Sequence, residues 1–162
     1  MRVLGIDPGL IITGWAVVEG NNRKVKVVEA GVIKVEQEYP LETRLKRLYD
    51  GITEIIDTLK PQFAAVEDLY SHYKHPATAI LMGHARGVIF LAAGRAGIEV
   101  VTYPATRIKK SVTGSGNASK ERVQRMVTAL LSLAKVPQPP DVADALAVAI
   151  THIDTWSRRE GL

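Results

Sequence analysis

The chain has 162 residues, 46% of them hydrophobic, which suits one compact domain with a real core. Charged residues make up 23% and are spread through the chain, which excludes the disordered class. There are no cysteines, so disulfides, thiolate zinc sites and cysteine nucleophiles are excluded together, and the net charge of +4 hints at an anionic partner.

Residues 2–6, RVLGI, and 13–18, TGWAVV, are apolar and β-branched and predict two strands, with Pro8-Gly9 as the turn signal between them. EGNNRK at 19–24 is a second turn signal. VKVVEAGVIKV at 25–35 is a third strand, with a bulge expected at Gly31, and the three make an antiparallel meander. From 41 to 59 apolar residues recur every three or four positions, the spacing of an amphipathic helix that Pro61 stops. FAAVE at 63–67 reads as a strand buried on both faces and closed by Glu67. After the loop DLYSHYKHP comes a helix rich in small residues from about 77 to 96, then the strand IEVVTY at 98–103.

Residues 105–112 form a short helix, TGSGNAS at 113–119 a glycine-bearing loop, and a helix follows from about 119 to 133, capped by Ser119 or Asn117. PQPP at 137–140 is a linker that cannot be helical, and DVADALAVAITHIDTW is the final helix. The order β-β-β-α-β-α-β-α-α predicts an α/β protein with a mixed five-stranded sheet and helices on both faces, which fits the ribonuclease H-like architecture. It is expected to fill residues 1–155 as a single domain, with 156–162 as a short tail. The N-terminus enters strand-like sequence without a secretory signal, and no apolar run reaches the ~18–20 residues of a membrane span. A cytoplasmic location and no membrane partner are the expectation.

Four acids stand where a solvated charge is out of place. Asp7 and Glu67 end apolar strands, and Asp141 and Asp144, three apart, share one face at the start of the last helix. An ionised carboxylate out of water is costly unless it is paired or binds a metal. If the two strands are neighbours and the helix crosses their ends, the four form one acidic cluster, and like charges that close need a cation between them. An all-carboxylate set suits Mg²⁺, with Mn²⁺ as a substitute. Two such ions about 3.5–4 Å apart can stabilise both the attacking and the leaving oxygen of phosphodiester hydrolysis. Each acid also has a plainer reading: Asp7 as a turn residue, Glu67 as a lysine partner, Asp141 as a helix-start acid. Asp144, followed by ALAVAI, is harder to explain that way.

His72, His75, His84 and His152 lack the spacing of a zinc site and read as solvated or core-packed. Tyr70 and Tyr73, interleaved with His72, Lys74 and His75 beside Glu67, make a loop that can stack bases and hold phosphates, or simply pack on the domain. Residues 107 to 125 hold Arg107, Lys109, Lys110, Lys120, Arg122 and Arg125 against Glu121, a local +5 that leaves the remainder at −1. This segment is placed to grip phosphates, unless it is an ordinary solvated face.

LGIDPGLIITGWAVVE, AAVEDLY, GHARGVIFLAA, IKKSVTGSGNASKERVQRMV and PDVADALAVAITH, in this order and spacing, resemble the RuvC family of Holliday-junction resolvases, from Met1 to about His152. The resemblance implies a ribonuclease H-like fold, a homodimer, and Mg²⁺-dependent paired nicking of four-way DNA junctions in recombination and repair. It also implies cooperation with the RuvA–RuvB branch-migration complex. The family's catalytic acids fall on Asp7, Glu67, Asp141 and Asp144, its basic residues on Lys109 and Lys120, and an aromatic near the junction bases on Tyr70. Where the family usually has phenylalanine this chain has Tyr70, and its loop is one residue longer before MGHARG. The competing classes are a nucleotide-binding domain of the actin and sugar-kinase kind, for which the chain is short, and a non-catalytic junction-binding module. The small-residue helix is a candidate dimer interface through Gly83, Ala85 and Gly87, or a helix packed on the sheet.

Overall fold

The computed structural model describes residues 1–21, 23–69 and 75–161. Five strands, β1 (Arg2–Asp7), β2 (Ile12–Gly20), β3 (Val25–Lys34), β4 (Phe63–Glu67) and β5 (Glu99–Tyr103), form one sheet in the order β3-β2-β1-β4-β5. The β1–β2 and β2–β3 pairs are antiparallel, and β1–β4 and β4–β5 are parallel. The helices are α1 (Leu41–Leu59), α2 (Pro76–Arg95), α3 (Ala105–Thr113), α4 (Lys120–Leu130) and α5 (Pro140–Arg159). This is the mixed α/β sheet that the element order implied; counting the short α3, three helices follow β5.

Strand alternation sorts the core into two layers. Val3, Ala16, Val18 and Ala65 face α3, α4 and α5, while Leu4, Ile6, Val17 and Val66 face α1 and α2. The same alternation decides where the strand-end acids go. Asp7 follows Val3 and Gly5, and Glu67 follows Ala65, so both carboxylates emerge on the α5 side. Ile6 pairs with Val66, which leaves Asp7 and Glu67 next in line on adjacent parallel strands.

Four local expectations are corrected. The bulge lies opposite Val17/Val18, where Val28 is the extra residue, and not at Gly31; Gly31 is instead held close to the Trp15 indole. Pro140 is the first residue of α5 rather than linker, because a missing N–H costs nothing in the first turn. The expected tail is helical to Arg159, with the Trp156 ring tilted against Phe63 and Ser157 buried. Lastly, α2 is by length and composition apolar enough to cross a membrane. Its inner face, Ala85, Ile89, Ala92 and Ala93, is buried in the fold, while Ile80, Leu81, Phe90 and Leu91 stand exposed on the outside.

Candidate active site

Asp7 is held by the turn that follows it. Thr13 Oγ1 donates to the Gly9 carbonyl at 2.6 Å and accepts the Gly9 N–H at 3.2 Å, and Arg44 reaches the Leu10 carbonyl at 3.1 Å. Asp141 and Asp144 arrive because two strand glycines let α5 sit directly on the β1–β2 hairpin. A Cβ at Gly5 would stand 2.0 Å from the Ala145 carbonyl oxygen, and one at Gly14 2.2 Å from that of Asp141. Gly14 pairs with Asp7, so the first turn of α5 lies over the acid end of β1. The N-terminal end of α5 also favours negative charge there.

A cavity of about 330 Å³ opens at this point, lined by Asp7, Glu67 and Asp144 together with Asp68, Lys109 and Lys120. Asp141 is not part of that lining, yet it is near enough that its charge acts on Asp7 and Asp144. Burial, then the charges of Asp144, Asp141 and Glu67, push the Asp7 carboxyl up from 3.8 to about 7. Glu67 is exposed at the strand end, but desolvation on its protein side and then Asp144 raise it as well, against Lys109 and Lys120. Burial raises Asp144, while Lys120, whose Nζ lies 3.6 Å from its Oδ2, pulls it down. Four acids thus crowd one another with too little positive charge among them. An oxygen-only donor set of this kind fits a hard divalent cation. Among the described residues no three acids or histidines are already close enough to hold one ion, so the fit rests on donor chemistry and mutual repulsion.

The basic segment divides. Lys109 and Lys120 face the cavity. Arg107 turns to the Thr155 hydroxyl at 3.3 Å, and Arg122 to the Thr113 carbonyl at 3.4 Å, bracing the loop before α4. Lys110 is exposed, and Ser119 rather than Asn117 caps α4, accepting the Arg122 N–H. Tyr70, Tyr73 and Lys74, with His72, lie outside the described residues. His152 is core-packed: its Nδ1 is 2.8 Å from the Tyr103 hydroxyl, its ring lies against Phe63, and burial lowers its pKa to about 4, so it is neutral. Sequence reasoning passed over Asp68 and Arg86, both in the cavity wall, and Gly5 and Gly14. The available signals were an arginine amid small residues on α2 and glycines inside strands, which mark close approach.

Residues 3–152 match the family described as crossover junction endodeoxyribonuclease RuvC. A protein of that name from Desulforamulus reducens is 45% identical over 161 residues, covering 99% of this chain and 98% of its own. One from Rhodopirellula baltica is 47% identical over 148 residues, 91% of this chain and 83% of its own. Among solved structures, T. thermophilus RuvC in complex with a Holliday junction substrate superposes with a TM-score of 0.94 at 33% identity, over 98% of this chain and 96% of that one.

Proposed function

The chain belongs to the RuvC family of crossover junction endodeoxyribonucleases, and from that premise we propose how its acid cavity works. The protein is a Holliday-junction resolvase, an endonuclease that hydrolyses phosphodiester bonds in four-way DNA junctions. The observation that carries the site assignment is the convergence of Asp7, Glu67 and Asp144 from three separate elements on one cavity, with Asp7 raised to about 7.

Asp7, Glu67, Asp141 and Asp144 are the groups that would hold Mg²⁺ or Mn²⁺, as a pair of ions. When bound, the ions would supply the positive charge that a scissile phosphate needs as water attacks phosphorus and the P–O bond to the leaving oxygen breaks. The chain's own part is placement. The Gly9–Thr13 lock fixes where Asp7 starts, and the Gly5 and Gly14 contacts fix α5 and its two acids. Lys120 and Lys109 offset the acids' repulsion, and each has a charge free to turn towards a phosphate once cations take over that role. A non-catalytic binding module is disfavoured, since an acid cluster facing phosphates only weakens binding.

A junction with near two-fold symmetry must be cut at two equivalent points, which a C₂ dimer does with two identical cavities. The exposed apolar face of α2 is the surface for that pairing. Ile80 and Leu91 flank Gly83 and Gly87, which have open space outside them and permit a second helix to come close. Cooperation with RuvA–RuvB belongs to the same reading. The test is cleavage of a labelled four-way junction and a matched duplex, with and without Mg²⁺. Junction-selective, Mg²⁺-dependent nicking is expected; equal cutting of both substrates would replace the resolvase reading with a general nuclease.

A further inference from the structure

We propose that Arg86 is a positioning residue for Glu67, an inference that rests on the metal-site reading above. Glu67 is the last residue of β4, and its register with β1 is defined only up to the preceding residue, Val66. A carboxylate at such an end is only as well placed as the peptide unit that follows its Cα. That unit is held at both of its polar atoms. The Asp68 N–H donates to the Tyr103 carbonyl at 2.9 Å, and the Glu67 carbonyl accepts from Arg86 Nη1. With both atoms fixed the peptide plane cannot rotate, which sets the direction in which the Glu67 side chain leaves the strand.

Arg86 is built for this task. It comes from the middle of α2, a different element, so it ties the strand end to a rigid helix rather than to a loop. Its second nitrogen lies 3.7 Å from Asp68 Oδ1, and its guanidinium stacks over the Phe90 ring at 4.8 Å, one turn further along. The side chain is 13% exposed although it lines an open cavity. A planar fork can donate to the carbonyl through one nitrogen while the other stays in ion-pair range of the carboxylate, a geometry that a lysine ammonium on a flexible stem does not hold. Asp68, next to Glu67 in sequence, is thereby engaged by Arg86, which keeps a fifth carboxylate turned to its own partner at the cavity wall.

Arg86→Gln and Arg86→Lys test the assignment in the full-length protein. The readouts are single-turnover junction cleavage, Mn²⁺ binding to the DNA-free protein by electron paramagnetic resonance, junction affinity in EDTA, and mass by light scattering. Loss of a group that orients a metal ligand costs about 10–100-fold in metal affinity or activity. Arg86→Gln is expected to lose that much in Mn²⁺ binding and in cleavage at low Mn²⁺, with junction affinity and mass unchanged and cleavage recovered at high Mn²⁺. Arg86→Lys, which keeps one of the two contacts, falls between. Wild-type Mn²⁺ binding by Arg86→Gln would overturn the inference, as would a cleavage defect that excess Mn²⁺ does not repair. If the wild-type protein cuts junctions and Asp7→Asn does not, such a result removes the role of Arg86 alone. If Asp7→Asn cuts normally, the metal-site reading falls and this inference with it.

Discussion

Replacing Asp7 by Asn should stabilise the metal-free protein at neutral and alkaline pH. The carboxyl is raised from 3.8 to about 7, so between those values the folded state holds a proton that the unfolded state has released. The slope of unfolding free energy with pH is then negative: stability is full below about pH 4 and is lost as pH rises through 7. The rise spans just over three decades of proton affinity, at about 1.4 kcal/mol each, giving ~4 kcal/mol as an upper bound. Solvent screening at the cavity mouth reduces this to about 2 kcal/mol. For a chain of this length that is roughly 4–8 °C in melting temperature. Thermal melts of both proteins in EDTA across the pH range measure it directly. The variant should melt higher above neutrality, the two should converge near pH 4, and added Mn²⁺ should stabilise the wild type more. A variant no more stable than wild type at pH 8 in EDTA, or a difference that ignores pH, would refute the crowded-carboxylate reasoning.

Gly14→Ala puts a Cβ where the Asp141 carbonyl stands, so α5 must move by on the order of 1 Å, at about 1–3 kcal/mol of stability. A displacement of that size should lower junction cleavage about 100-fold while binding in EDTA persists, as rate and gel-shift measurements would show. Lys120 lowers Asp7, Glu67 and Asp144 alike, so Lys120→Ala should move the acidic limb of the cleavage pH profile upwards and, with one phosphate contact fewer, leave a weaker activity that depends less steeply on salt. A profile parallel to wild type at all salt concentrations counts against the assignment. Leu91→Glu, on the outer face of α2, should convert a dimer into monomers in analytical ultracentrifugation. An unchanged sedimentation coefficient would move the interface elsewhere.

The parts of the fold that depend on short-range pattern were readable in the sequence. The amphipathic spacing over 41–59 and the apolar run 63–67 coincide with α1 and β4, and the strand-end and helix-start acids stood out because a charge there contradicts its surroundings. What depended on tertiary neighbours was not readable. Gly31 looked like a bulge but answers to the Trp15 indole, and the actual bulge at Val28 follows from pairing register alone. The basic segment looked continuous, yet helical periodicity on α3 turns Arg107 towards Thr155 and leaves Lys109 facing the acids. Arg86 lies 19 residues from Glu67, and only the packing of α2 beside β4 makes the two neighbours.

If the four acids form one metal-dependent cutting site, Asp7→Asn disables it, and a labelled four-way junction shows whether it does. With binding in EDTA and cleavage in Mg²⁺ measured on the same preparation, the variant should bind the junction at least as tightly as wild type and leave every strand intact. Mg²⁺-dependent nicking by the variant at the wild-type rate would contradict the account.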